Sequence, residues 1–437
     1  MKNTFYVSCP IDTYSGYGAR SRDFVKALIE SKKYDVRILS QRWGSTPFGF
    51  IEDHKEEWGF LTKHIMQQIT DQPDIWCQIT VPNEFQPIGK YNIGLTAGIE
   101  TTACAPQWIE GCNRMNLVLT SSQHSKTVFE NSKYKAKDQK TGQERMVELT
   151  TPVKVLIEGA DLDVYKPISK KDIISTDLFE SVDSIKESFA FLFVGHWMQG
   201  DIGQDRKNVG LTIKAFYETF KNKTKAPALI LKVSSAGASY MDRWEMQKRI
   251  DSIRNTVQAS TLPSVYLLHG EFSNQEMNEL YNHPKVKAMV SLTKGEGFGR
   301  PLLEFSLTNK PIMTTGWSGH TDFLKPEFTA LMQGKLENVH PSAAVKDMIL
   351  QESQWFSVDH GYVGHFLNDI FSNYKDWKIK GKRQGYYSRT DFSFAQMVKQ
   401  LEELLDKNIP ELPKKVNLKL PKLKKIEMPK KPTLKKV

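Results

Sequence analysis

Between Val286 and Phe323 the chain passes from a short apolar run, through three glycines, into a proline-led helical pattern, and few folds accommodate that order. Val286-Lys-Ala-Met-Val-Ser-Leu292 is bounded by polar residues, which predicts a buried strand. Gly295-Glu296-Gly297-Phe298-Gly299-Arg300-Pro301-Leu302-Leu303-Glu304 follows. Its glycines let the backbone turn sharply and approach a ligand without Cβ interference. Pro301 suits a first helical turn, where an N–H has no intrahelical partner. Strand, Gly-rich turn and helix N-terminus together form an anion site, because free amides and the helix dipole face the turn. Glu296 on the turn and Glu304 on the helix flank it. A carboxylate offers only acceptors, so it suits hydroxyls rather than phosphate. A ligand with phosphates in the middle and polyols on either side, a nucleotide-sugar, meets both conditions. An ordinary strand–turn–helix with two surface glutamates is the plainer alternative.

The rest of the chain alternates strands with helices, which predicts an α/β protein whose parallel sheets gather ligands at the carboxyl ends of their strands. Thr4–Ser8, Val36–Leu39, Ile75–Val81, Tyr91–Thr96, Leu117–Ser122 and Pro152–Ile157 read as strands of a first domain. Ala190–Gly195, Leu229–Ser234 and Val265–Gly270 read as strands of a second. Ser15-Gly16-Tyr17-Gly18 is a turn ahead of an amphipathic helix from Asp23 to Glu30, and 131–148 is a polar insertion. Arg206-Lys207 precedes a helix carrying Val209, Ile213, Phe216, Tyr217 and Phe220 on one face. Cations at a helix start oppose the dipole unless an anion lies across them. A solvated surface pair is the alternative. Ser393 to Gln396 has capping-box spacing ahead of a last apolar stripe.

The net charge of +10 resembles a nucleic-acid signal until it is located: residues 408–437 hold ten lysines and two glutamates, so +8 of it lies there. Leu412-Pro-Lys-Lys, Leu420-Pro-Lys-Leu and Met428-Pro-Lys-Lys recur in that tail, which predicts an extended, disordered arm. The arm either solubilises the chain or tethers it to a nucleic acid or another anionic surface. Cys9, Cys77, Cys104 and Cys112 form no CxxC pair, and no apolar run reaches ~18 residues, so a reduced, cytoplasmic protein without a membrane span is expected. No HExxH or CxxC ligand set is present, and neither a metal nor a cofactor is expected.

Glu296 and Glu304, with seven residues between them, resemble the Glu-x7-Glu motif of retaining GT-B glycosyltransferases of the family-4 type. Lys310–Asp322 is similar to that family's next strand and turn. Glu158-Gly-Ala-Asp161-Leu-Asp163-Val-Tyr-Lys-Pro167 resembles its interdomain signature. The resemblance implies two Rossmann-like domains facing a central cleft, at 1–165 and 188–375. Between them it implies a linker at 166–187, then a helical segment at 376–407 crossing back to the first domain, and the tail at 408–437. It implies a nucleotide-diphosphate-sugar donor and an unidentified acceptor, which is a glycan, lipid, protein or nucleobase. Glu296 would sit at the transfer centre and Glu304 on the ribose. Gly16, Gly18, Gly297, Phe298 and Gly299 would face the donor, and Gly270 and Phe272 its base. Lys207 would bind the diphosphate, with His196 where the family has an arginine and Arg206 able to supply that cation. Glu100 stands where many relatives place a histidine, either as the acceptor-activating group or as a structural carboxylate. A sugar epimerase or phosphorylase on the same scaffold, or a nucleic-acid-directed modification or binding protein using the basic tail, are the competing readings.

Overall fold

The computed structural model describes residues 2–137, 144–200, 202–235, 237 and 239–413. The Lys/Pro-rich repeats beyond 413 and the middle of the 131–148 insertion lie outside these residues. The first sheet contains β1 (Thr4–Cys9), β2 (Asp35–Ser40), β3 (Ile75–Ile79), β4 (Tyr91–Thr96), β5 (Leu117–Thr120) and, after an antiparallel hairpin of β6 (Tyr134–Lys137) and β7 (Glu144–Val147), β8 (Val153–Val155). Its order is β2-β1-β3-β4-β5-β8 and every pairing is parallel. The second sheet is built from β9 (Ala190–His196), β10 (Ala228–Ser234), β11 (Val265–Leu268), β12 (Val286–Ser291), β13 (Ile312–Thr315) and β14 (Ala330–Met332). It runs β11-β10-β9-β12-β13-β14, again all parallel. A two-stranded antiparallel ribbon, β15 (Gly334–Asn338) with β16 (Gln354–Val358), follows it.

Strands such as Phe5-Tyr-Val and Phe191-Leu-Phe are buried on both faces because helices cover both sides of a parallel sheet. The strand order reverses beside β1 in the first sheet and between β9 and β12 in the second. Loops leaving neighbouring strands diverge at such points and open a crevice at the strands' carboxyl ends.

The chain crosses between the domains twice, and the two crossings are hydrogen-bonded to each other. The Ala160 N–H donates to the Phe392 carbonyl at 2.9 Å, and the Phe394 N–H donates to the Ala160 carbonyl at 2.8 Å. Beyond Ser393, whose hydroxyl caps the Gln396 N–H, the helix Phe394–Asn408 inserts Met397, Leu401 and Leu405 into the first domain's core. Two sequence expectations are corrected here. The helix Tyr374–Asp391 does not cross back, because Gln384 ties it to the second domain through the Phe323 carbonyl (2.7 Å) and the Lys325 N–H (3.0 Å). The return therefore starts at Phe392, not at 376. The segment 166–187, expected as the interdomain linker, packs on the second domain. Glu279 accepts from the Ile174 and Ser175 N–H groups (3.1 and 2.9 Å), and Val182 and Ile185 are buried in a core of the second domain.

Candidate active site

The turn after β12 sits where the two crevices meet. The Glu296 N–H donates to the Ser318 hydroxyl at 2.9 Å, and its carbonyl accepts from the Gly319 N–H at 2.9 Å, so the turn is pinned to the loop after β13. Gly299 takes φ 97° and caps the helix Arg300–Ser306, with Pro301 in its first turn. Gly295 and Gly297 answer to the opposite domain. A Cβ on Gly295 would lie 1.9 Å from the Glu100 carbonyl oxygen, and one on Gly297 would lie 2.4 Å from that of Ala97. Such approaches lie well inside van der Waals contact, so only glycine lets the domains meet here. The seam continues where the Gln123 N–H donates to Asp322 (2.8 Å) and the Thr102 N–H to the Gln354 carbonyl (2.9 Å).

Four of the predicted charged residues converge on this seam. Lys207 Nζ is 2.5 Å from Glu296 Oε1, and Arg206 Nη1 lies 3.6 Å from Glu296 Oε2 and 3.7 Å from Glu100 Oε1. Arg206 also donates to the Gly295 carbonyl at 3.2 Å. Burial alone would raise the Glu296 carboxyl, but the Lys207 and Arg206 charges outweigh it and hold the group at about 2. The sequence pattern puts the two cations at a helix start. In the structure the helix begins at Val209, after Asn208 in a left-handed conformation (φ 57°), so Arg206 and Lys207 precede it. Freed from helical spacing, both reach the same carboxylate.

A second charged group surrounds Glu304. Arg300 donates through Nε to Glu304 (2.9 Å) and pairs through Nη1 with Asp23 of the first domain (2.5 Å), with Glu158 at 4.0 Å. Burial disfavours the guanidinium charge, yet Asp23, Glu304 and Glu158 more than offset it and keep the group well above its ordinary value. Burial likewise pushes the Glu304 carboxyl up, against the pull of Arg300. Asp23, Arg300 and Glu304 line a cleft cavity of about 240 Å³ whose wall also includes Gly16, Tyr165, Glu271 and Phe272. Glu100, Arg206, Lys207 and Glu296 are not in that wall, so the predicted site falls into two adjoining parts.

The remaining predicted residues divide. Gly16 lines the cavity with open space on its Cα. Gly18 does not: it lies in the first turn of the helix Gly16–Ser31, its N–H capped by Ser15 at 2.9 Å, and a Cβ there would come within 2.3 Å of the Thr13 carbonyl. The glycines therefore open a helix rather than a loop. Phe298 turns into the core against Phe323, ring centres 5.0 Å apart. Gly270 is in a positive-φ conformation (146°), and its carbonyl is taken by Lys232 at 2.7 Å. His196, at the end of β9, places Nδ1 2.9 Å from the Ser235 carbonyl and makes no ion pair with the Glu296 group among the described residues. Asp23 and Arg300 were missed from sequence. Arg300 carried a usable signal, since a cation just ahead of Pro301 opposes the dipole there as Arg206 and Lys207 were expected to do at theirs.

No protein-family model and no curated protein matches the sequence. Solved structures do match. HepE of Anabaena in complex with UDP aligns at a TM-score of 0.58 with 14% identity, covering 93% of this chain and 100% of that one. A glycosyltransferase from Rickettsia africae aligns at 0.62 with 12% identity, over 93% and 98%. The sucrose-phosphate synthase of Thermosynechococcus elongatus aligns at 0.59 with 11% identity, over 93% and 99%. The fold is GT-B. In GT-B terms, β9 and β12 carry the second domain's half of the cleft, and the paired crossings at Ala160 and Phe392–Phe394 form the joint between the halves. No helix among the described residues is long and apolar enough to cross a membrane.

Proposed function

We propose that this chain is a retaining glycosyltransferase of the Glu-x7-Glu type that takes a sugar from a nucleoside-diphosphate donor. The observation that carries the reading is the split of the cleft into two parts joined by the Gly299 helix start. Glu304 faces a cavity suited to a hydroxyl-rich nucleoside, and Lys207 and Arg206 stand beside Glu296 where the sugar would react. HepE of Anabaena was solved with UDP and with UDP-glucose, which supports a nucleotide-sugar as the donor class. When the bond from the anomeric carbon to the diphosphate breaks, the diphosphate leaves with the bonding pair. Lys207 and Arg206 then stabilise the charge that develops. The acceptor oxygen bonds to the carbon and releases its proton, a role this reading gives to the Glu100 carboxylate of the first domain, 3.7 Å from Arg206.

Glu304→Ala tests the donor half. It removes an acceptor for the ribose hydroxyls, so donor affinity is expected to fall by the ~1.5–3 kcal/mol of a charge-assisted hydrogen bond. Turnover at saturating donor should change less. Calorimetric titration of a panel of nucleotide-sugars reads this directly, and unchanged affinity would remove Glu304 from the donor site. Because side-chain cations and a helix N-terminus take the place of a metal in this reading, activity is expected to survive EDTA. A loss restored only by Mg²⁺ or Mn²⁺ would overturn that part.

A further inference from the structure

A second cavity, of about 490 Å³, has Gln204 and Asn208, on either side of Arg206 and Lys207 in the chain, in its wall and shares no wall residue with the cleft cavity. Lys294 is in its wall and only 3% exposed. Its Nζ donates to the Ser357 hydroxyl at 2.9 Å and lies 5.5 Å from the Trp355 ring centre. No carboxylate among the described residues comes within the 4.0 Å of an ion pair with it. A buried ammonium held by one neutral hydroxyl keeps donors to spare. Asn208, 1% exposed in the same wall, has no hydrogen-bond partner on either Nδ2 or Oδ1. Buried amides are rarely left this way, and each unmade bond favours an occupant that completes it. Lys214 and Lys335 add positive charge. The one acid in the wall, Glu337, pairs with Lys335 at 3.0 Å, and together with the buried Asp205 it offsets part of the Lys294 charge from beyond ion-pair distance.

We propose that this cavity binds a phosphate group, free or on a small organic ester. Phosphate oxygens accept from Lys294, Lys214 and Asn208 Nδ2, and a phosphate or ester hydroxyl donates to Asn208 Oδ1. The site touches the catalytic segment from another direction, since the Lys294 N–H donates to the Arg206 carbonyl at 2.8 Å and Asn208 follows Lys207 directly. It does not depend on what the cleft binds.

The test is calorimetric titration of the full chain with inorganic phosphate and with glycerol phosphate, carried out in wild type and in Lys207→Met. The second background weakens any phosphate binding in the cleft. Saturable binding that persists in Lys207→Met is expected. Lys294→Met and, separately, Lys214→Glu should each weaken it about tenfold or more, the size of one charge-assisted hydrogen bond. Lys214 is exposed, so its variant remains informative if Lys294→Met fails to fold. Tighter binding of either probe identifies the free ion or the ester as the ligand. Binding lost in Lys207→Met, binding unmoved by Lys214→Glu, or no saturable binding of either probe would overturn the proposal.

Discussion

Lys207→Met is expected to lower turnover by ~10²–10³, the usual effect of removing one preorganised electrostatic partner of a developing charge. Donor affinity should change much less, because that charge is largest only as the bond to the diphosphate breaks. The substitution keeps the aliphatic stem but leaves Glu296 with Arg206 at 3.6 Å as its nearest cation. A buried carboxylate stripped of its partner is destabilising in its own right. Thermal unfolding is therefore measured alongside kinetics, and Lys207→Arg should restore part of the turnover. Arg206→Met is expected to do less harm, since that side chain is shared with Glu100 at 3.7 Å and stands farther from Glu296. Near-normal turnover in Lys207→Met would reduce the pair to a structural ion pair.

Gly295→Ala should be at least as damaging, and by a different route. The backbone there does not require glycine, as Gly295 is not among the positive-φ positions. The new methyl meets above all the Glu100 carbonyl, 1.9 Å away on the other domain, and only grazes the Trp317 ring of its own domain at 3.1 Å. Neither core contains this contact, so each domain should fold as before while the cleft is held ajar. A displacement of about 1 Å between reacting groups is enough for a ~10²-fold loss. The expected result is a turnover reduced by that factor or more, a thermal midpoint near wild type and a larger radius of gyration in solution scattering. Wild-type turnover would show that the domain contact seen here is not the one in which chemistry occurs.

How much was legible in the sequence depended on the distance over which each feature is determined. The strand, Gly turn and Pro-led helix around Glu296 are local, and Val286–Ser291, Gly299 and Arg300–Ser306 fall where the pattern put them. The helix Gly16–Ser31 begins at Gly16 instead of Asp23 because the Ser15 cap outweighs the low helix propensity of Gly16 and Gly18. Tyr240–Asn255 gave no readable stripe, since it buries only Met246, Ile250 and Ile253 and exposes Tyr240, Met241 and Trp244. The Arg300–Asp23 pair joins positions 277 apart, and no periodicity reports on such a contact. The purpose of Gly295 was misread for the same reason: sequence shows that a side chain is missing there but not which surface requires the space.

The paired crossings also bear on how the protein is made. Met397, Leu401 and Leu405 complete the core of the first domain, although the whole second domain lies between them and its last strand. On the ribosome, that first domain must wait with an unfilled apolar groove until the helix Phe394–Asn408 emerges, exposed to the misassembly that threatens any chain with an unfinished core. The second domain is contiguous and can fold as it appears. A chain broken at the Ala160 joint would give an amino-terminal fragment that becomes whole only when the separate helix is supplied in trans.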